Sequence, residues 1–215
     1  MTMTRDLPLV PSQAALLFID VQNYNVTRKG GEYADMDPAE VEAKYGWHFR
    51  ELESRTLPNM QALQKGCRAA GIEVLYTTIE SLTKDGRDRS LDYKITGFNV
   101  PKGSWDGQVI EGIKPLEDEI WLPKTSSSVF VSTHIDYILR NLGVRQLAIA
   151  GLLTDQCVES AVRDACDLGY LVTQVTDACA SLTPERHDNS LQAIKGYCRQ
   201  ITTAALLQEL ASLPA

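Results

Sequence analysis

Histidine is scarce in this chain: three in 215 residues, at His48, His134 and His187, widely separated. A metal site built from histidines needs several of them converging with an acid. No such site is expected here, and no cofactor is called for. His134, at an apparent helix start, and His187, in a turn that reads as exposed, are expected to be structural. Cysteine is also sparse. The five cysteines (67, 157, 166, 179 and 198) are odd in number and contain no C-x-x-C pair. That pattern excludes a disulfide framework and a structural zinc site, and it points to the cytoplasm.

Positive charge is in deficit, with 21 Lys and Arg against 28 Asp and Glu and a net charge of −7. Nucleic acid is therefore not an expected partner. No apolar run approaches bilayer length, and those near 14–19 and 147–153 are far too short, so no membrane association is expected. The opening Met-Thr-Met-Thr-Arg-Asp-Leu-Pro lacks the apolar stretch of a signal peptide. Repeats and low-complexity tracts are missing too.

The pattern that is present alternates strand with helix. Ala14-Ala-Leu-Leu-Phe-Ile-Asp20 is a continuous apolar run ending in an acid, the signature of a buried parallel strand. Further strands are predicted at 72–79, 119–122, 146–150, 170–176 and near 198–202, with helices at about 50–70, 135–142, 157–168, 184–195 and 203–212. This rhythm implies a single domain over 1–215, a three-layer α/β/α sandwich around a mostly parallel six-stranded sheet. Insertions at about 27–50 and 81–107 interrupt it. The first carries Tyr33, Tyr45, Trp47 and Phe49, and it offers an apolar surface for a subunit contact.

Ligands of such sheets bind beyond the carboxyl ends of the strands. Asp20, Glu80, Lys124 and Cys157 all fall at or just past those ends. Cys157 stands where a strand passes into a helix, in Gly151-Leu-Leu-Thr-Asp-Gln-Cys157. A thiol at a helix N-terminus is expected to ionise more easily than a free cysteine. A buried structural cysteine is the alternative. A carboxylate and an ammonium beside the sulfur supply a proton acceptor and a charge partner for a thiolate.

Three marks in order, Asp20-Val-Gln-Asn23, Pro123-Lys-Thr-Ser-Ser-Ser-Val-Phe130 and the Cys157 segment, resemble the isochorismatase-like hydrolase superfamily in its cysteine-hydrolase branch. The resemblance implies Asp20 as general base, Lys124 as the cation and Cys157 as nucleophile. It also implies a cis Leu152–Leu153 bond, with the N–H groups of Leu153 and Cys157 as oxyanion donors. The stretch Thr83–Lys94, with Val100–Trp105, is similar to biuret- and triuret-type ureide hydrolases. A cysteine-dependent amidohydrolase releasing ammonia from a small linear ureide or amide is thus implied. Alternatives are an enzyme for ureidoacrylate, a carbamoyl amino acid or a nicotinamide-type amide, and a catalytically silent binding protein of the same fold. Gln22, Asn25 and Glu80 are candidate substrate-binding groups, because a ureide is rich in N–H donors and carbonyl acceptors. Arg87 and Arg89 would suit a carboxylate-bearing substrate. Family members usually form homodimers or homotetramers.

Overall fold

The structure, a computed structural model, describes residues 4–212. Six strands form one sheet: β1 (Ala14–Ile19), β2 (Glu73–Ile79), β3 (Ile120–Lys124), β4 (Gln146–Leu152), β5 (Leu171–Ala180) and β6 (Arg199–Ile201). Their order is β3-β2-β1-β4-β5-β6, with every neighbouring pair parallel. The helices are α1 (Asn23–Val26), α2 (Pro38–Glu51), α3 (Leu57–Ala69), α4 (Leu91–Thr96), α5 (Val129–Ser132), α6 (Ile135–Asn141), α7 (Glu159–Asp167), α8 (Pro184–Ile194) and α9 (Thr203–Ala211).

Each residue of β1 and β4 is buried, because both sheet faces are covered. Alternation divides them between two cores. Leu16 and Phe18 face α2, α3 and α9 through Phe49, Met60, Leu63 and Leu206. Leu17 and Ile19 face α5 to α8 through Val129, Leu139, Val162 and Ile194. The expected three-layer α/β/α fold is the one observed. Pro123 lies in β3, an edge strand, where a missing N–H costs least. Among the described residues no helix is long and apolar enough to cross a membrane.

Three local expectations need correction. The first insertion is largely helix: α2 starts at Pro38, capped by Asp37 accepting from Ala39 N at 2.8 Å. It runs through a π-helical stretch, Leu52–Thr56, into α3. The apolar positions Val41, Tyr45, Phe49 and Leu52 already have helical spacing, but surrounding charges obscure it. Tyr33 and Phe49 are buried in the core, so of the four aromatics only the partly covered Tyr45 and Trp47 reach the surface. Strand β5 extends past Thr176 to Ala180, across a register shift between Ile149 and Gly151 of β4. Gly151 has φ +139°, and a Cβ there would lie 2.2 Å from Ile19 O; only glycine fits.

Candidate active site

The three strand-end residues converge. Asp20 follows β1 with φ +52°, a left-handed conformation that aspartate tolerates better than most side chains, and its N–H donates to Thr77 O on β2 at 2.8 Å. Lys124 ends β3, and Cys157 sits on a π-helical turn, Thr154–Val158, between β4 and α7. The Lys124 ammonium lies 2.8 Å from Asp20 Oδ2 and 3.3 Å from Cys157 Sγ, and it donates to Ser126 O at 2.9 Å. Asp20 is 1% exposed, Lys124 0% and Cys157 4%.

Burial governs the protonation of this cluster. Desolvation raises the Asp20 carboxyl above the ordinary carboxylate range, opposed by the Lys124 charge. Burial likewise pushes the Cys157 thiol up to about 12, with Lys124 pulling it down and Asp20 pushing it further up. Burial works against a charged Lys124, but Asp20 and Cys157 outweigh it and hold the ammonium protonated. The easily ionised thiol expected from a helix N-terminus is therefore corrected. Cys157 lies on a buried π-turn, and the one cation already has an anion beside it. A second anion would leave net negative charge in a low-dielectric site.

Helix α8 secures the turn that carries the thiol. Thr154 Oγ1 lies 2.8 Å from His187 Nδ1, Ser190 Oγ donates to Thr154 O at 3.1 Å, and Arg186 pairs with Asp155 at 2.6 Å. His187, expected on an exposed turn, is 6% exposed because it packs beneath this loop. Burial lowers its pKa, so it stays neutral. His134 is exposed at the start of α6. His48 is fully buried.

A cavity of about 250 Å³ opens over the cluster, lined by Asp20, Cys157, Leu152, Leu153 and Gln156, by Tyr24 and Asn25 of α1, and by Asp92, Tyr93, Thr96 and Phe98 of the second insertion. The Leu152–Leu153 peptide bond is cis. Among the candidate binding residues, only Asn25 both lines this space and has a buried side-chain polar atom without a partner, its Oδ1. Gln22 lines the cavity, but backbone groups occupy its amide: Oε1 accepts from Ile79 N at 2.7 Å, and Nε2 donates to Ile79 O and Asp106 O. Glu80 lies outside the lining and accepts from Gly103 N at 2.8 Å. Both residues hold the loops in place. Arg87 pairs with Asp85 at the surface, and Arg89 donates to Gly86 O and Phe98 O; neither lines the cavity.

Sequence reasoning missed Tyr93, Phe98 and Gln156 as cavity residues. Gln156 was within reach, adjoining Cys157 in a polar lead-in. Tyr93 on α4 and Phe98 just beyond it carry no local signal, since the short helix that positions them depends on its Ser90 cap. Among the described residues, no group of three or more His, Cys, Asp or Glu is placed to hold a metal ion.

The isochorismatase domain family model matches residues 14–205. The ureidoacrylate amidohydrolase RutB of Acinetobacter baylyi is 30% identical over 211 residues, covering 89% of this chain and 80% of that protein. RutB of Rhizobium rhizogenes is 29% identical over 195 residues, 83% of this chain and 75% of its own. A cysteine hydrolase from Pseudomonas syringae pv. phaseolicola shares the fold, with a TM-score of 0.81, 23% identity and 96% coverage of both chains.

Proposed function

Since the chain belongs to the isochorismatase family, we propose that it is a cysteine-dependent amidohydrolase that cleaves a C–N bond of a small linear ureide or amide and releases ammonia. One observation carries the reading. A carboxylate and a thiol lie within 3.3 Å of the Lys124 ammonium, all three groups buried, under a cavity of substrate size.

Asp20 is the general base, Lys124 the cation and Cys157 the nucleophile. As Cys157 Sγ attacks the carbonyl carbon, its proton passes to Asp20, so the cluster never carries two anions beside one cation. The N–H groups of Leu153 and Cys157 receive the oxyanion. Asp20 then delivers the proton to the departing nitrogen, the C–N bond breaks, and an acyl-thioester and ammonia remain. Water attacks the thioester while Asp20 takes its proton; the carboxylic or carbamic product leaves, and the proton returns to the thiolate. The residues need no metal for these steps.

The substrate favoured is a neutral ureide of the biuret or triuret type. Among the described residues no Lys, Arg or His lines the cavity, whereas Asn25, Gln156 and Asp92 do. These groups suit N–H donors and offer no cation for a carboxylate. The second reading is ureidoacrylate, favoured by the RutB relatives. The proposal has the protein act in the cytoplasm as a homodimer or homotetramer. Ammonia release with chelator present throughout, over biuret, triuret, ureidoacrylate, a carbamoyl amino acid and nicotinamide, tests the reading. Biuret or triuret is expected to lead; release from none of the five would overturn it.

The charge arrangement gives a less obvious prediction for Asp20→Asn. Asparagine tolerates the left-handed backbone, so the fold is expected to survive. Losing the competing carboxylate leaves Lys124 to stabilise the thiolate, and the Cys157 pKa falls. Iodoacetamide labelling of Cys157 at pH 7 is expected to rise at least about tenfold, while ammonia release falls about 10²- to 10⁴-fold for want of a proton carrier. Half-buried Cys166, its thiol pushed up to about 11 by burial, serves as internal reference. Slower labelling of Cys157 in this variant would show that Asp20 does not suppress the resting thiolate.

A further inference from the structure

The stretch after Asp20 supplies three side-chain amides, and the fold treats them differently. Backbone groups take up Gln22 as described, and Asn23 Nδ2 donates to Trp105 O at 2.9 Å. Asn25 is held by its main chain alone: its N–H donates to Gln22 O at 3.3 Å, and its carbonyl lies 3.2 Å from His48 Nε2. The other ring nitrogen of His48 lies 2.8 Å from Ser181 O, next to Leu182 of the cavity wall. The backbone of Asn25 is thus fixed, its Oδ1 is buried and unpaired, and the residue lines the cavity. Native structures rarely leave a buried acceptor without a donor, and a ligand is one way to provide it.

We propose that Asn25 is the specificity-determining residue that distinguishes a ureide from a plain amide. Its Oδ1 accepts the internal N–H of the substrate, and its Nδ2–H donates to the neighbouring carbonyl. A side-chain amide is the donor–acceptor complement of a –CO–NH– unit, so the two meet in a paired contact. A site built to bond an N–H discriminates strongly against an analogue lacking it, because the acceptor is then buried unpaired. The cavity contributes shape around this contact, and fully buried His48 packs between the Asn25 and Ser181 carbonyls. This inference rests on the reading of the cavity above Cys157 as the substrate site.

Biuret and malonamide differ in one group, an internal N–H replaced by CH₂, and both can be titrated calorimetrically into Cys157→Ser protein, in which the chemistry is blocked. Biuret is expected to bind at least about tenfold more tightly than malonamide. Adding Asn25→Leu, similar in volume but without the amide, is expected to erase that preference by weakening biuret more than malonamide, which keeps the carbonyl but has no internal N–H to lose. Asn25→Asp, which keeps an acceptor and loses the donor, is expected to weaken biuret while retaining part of the preference. Equal affinity for the two ligands, binding of neither, or a preference that survives Asn25→Leu would overturn the role of Asn25. The hydrolase reading fails separately: Asn25-dependent biuret binding without ammonia release from the unsubstituted enzyme would sink the reading and leave the binding role standing. Ammonia release from biuret with no Asn25-dependent preference would do the reverse.

Discussion

Cys157→Ser is expected to lower ammonia release at least about 10⁴-fold, the scale on which loss of a nucleophile acts in hydrolases that work through a covalent acyl intermediate. The thiol is already held up to about 12 by burial. An alcohol is harder still to ionise, and the neighbouring Lys124–Asp20 pair has no spare positive charge with which to stabilise an alkoxide. The replacement is nearly isosteric and leaves the cation and carboxylate in contact, so melting temperature and ligand binding should change little. Steady-state ammonia assays beside thermal melts check both halves. A folded variant retaining more than about one per cent of turnover would remove Cys157 from the mechanism.

Lys124→Met carries the largest expected stability effect. It removes the only cation of a buried cluster and leaves the Asp20 carboxylate unpaired at 1% exposure. Breaking a buried pair from one side costs about 3–5 kcal/mol. For a chain of this length that corresponds to a fall in Tm of about 6–20 °C. The pH dependence has a definite sign. Asp20 in the native state already has a raised pKa, and Lys124 is what pulls it down. Without Lys124 it climbs further above the unfolded value of about 3.9. Between those two values the native state binds more protons than the unfolded chain, so stability falls as pH rises. The Tm deficit of Lys124→Met relative to the unsubstituted protein should therefore be smallest at acid pH and widen toward neutrality and above. The double variant Lys124→Met/Asp20→Asn, with no charge left to bury, should recover most of the lost Tm and none of the turnover. A single variant that melts like the unsubstituted protein at all pH values would show that the pair is not electrostatically coupled to folding.

What the residues alone determined was the order of elements and the level at which the chemistry sits. Runs such as Ala14–Ile19 and Gln146–Ala150 are apolar on both faces, and they alternate with helices closed by Gly71, Gly143 and Gly169, all at positive φ. In a parallel sheet all strands point the same way, so residues at strand ends collect along one edge whatever the detailed packing. Hence Asp20, Lys124 and Cys157 could be grouped before any distance was known. The tertiary structure alone decided how each polar group is used. Gln22 and Glu80 lie as near the strand ends as Asn25, yet partners 57, 84 and 23 positions away occupy the first two. Local sequence carries no record of such partners. The state of the thiol was decided in the same way. Its neighbours along the chain suggest an easily ionised thiol at a helix start, but burial, a consequence of long-range packing, raises its pKa against the pull of the lysine at the end of β3.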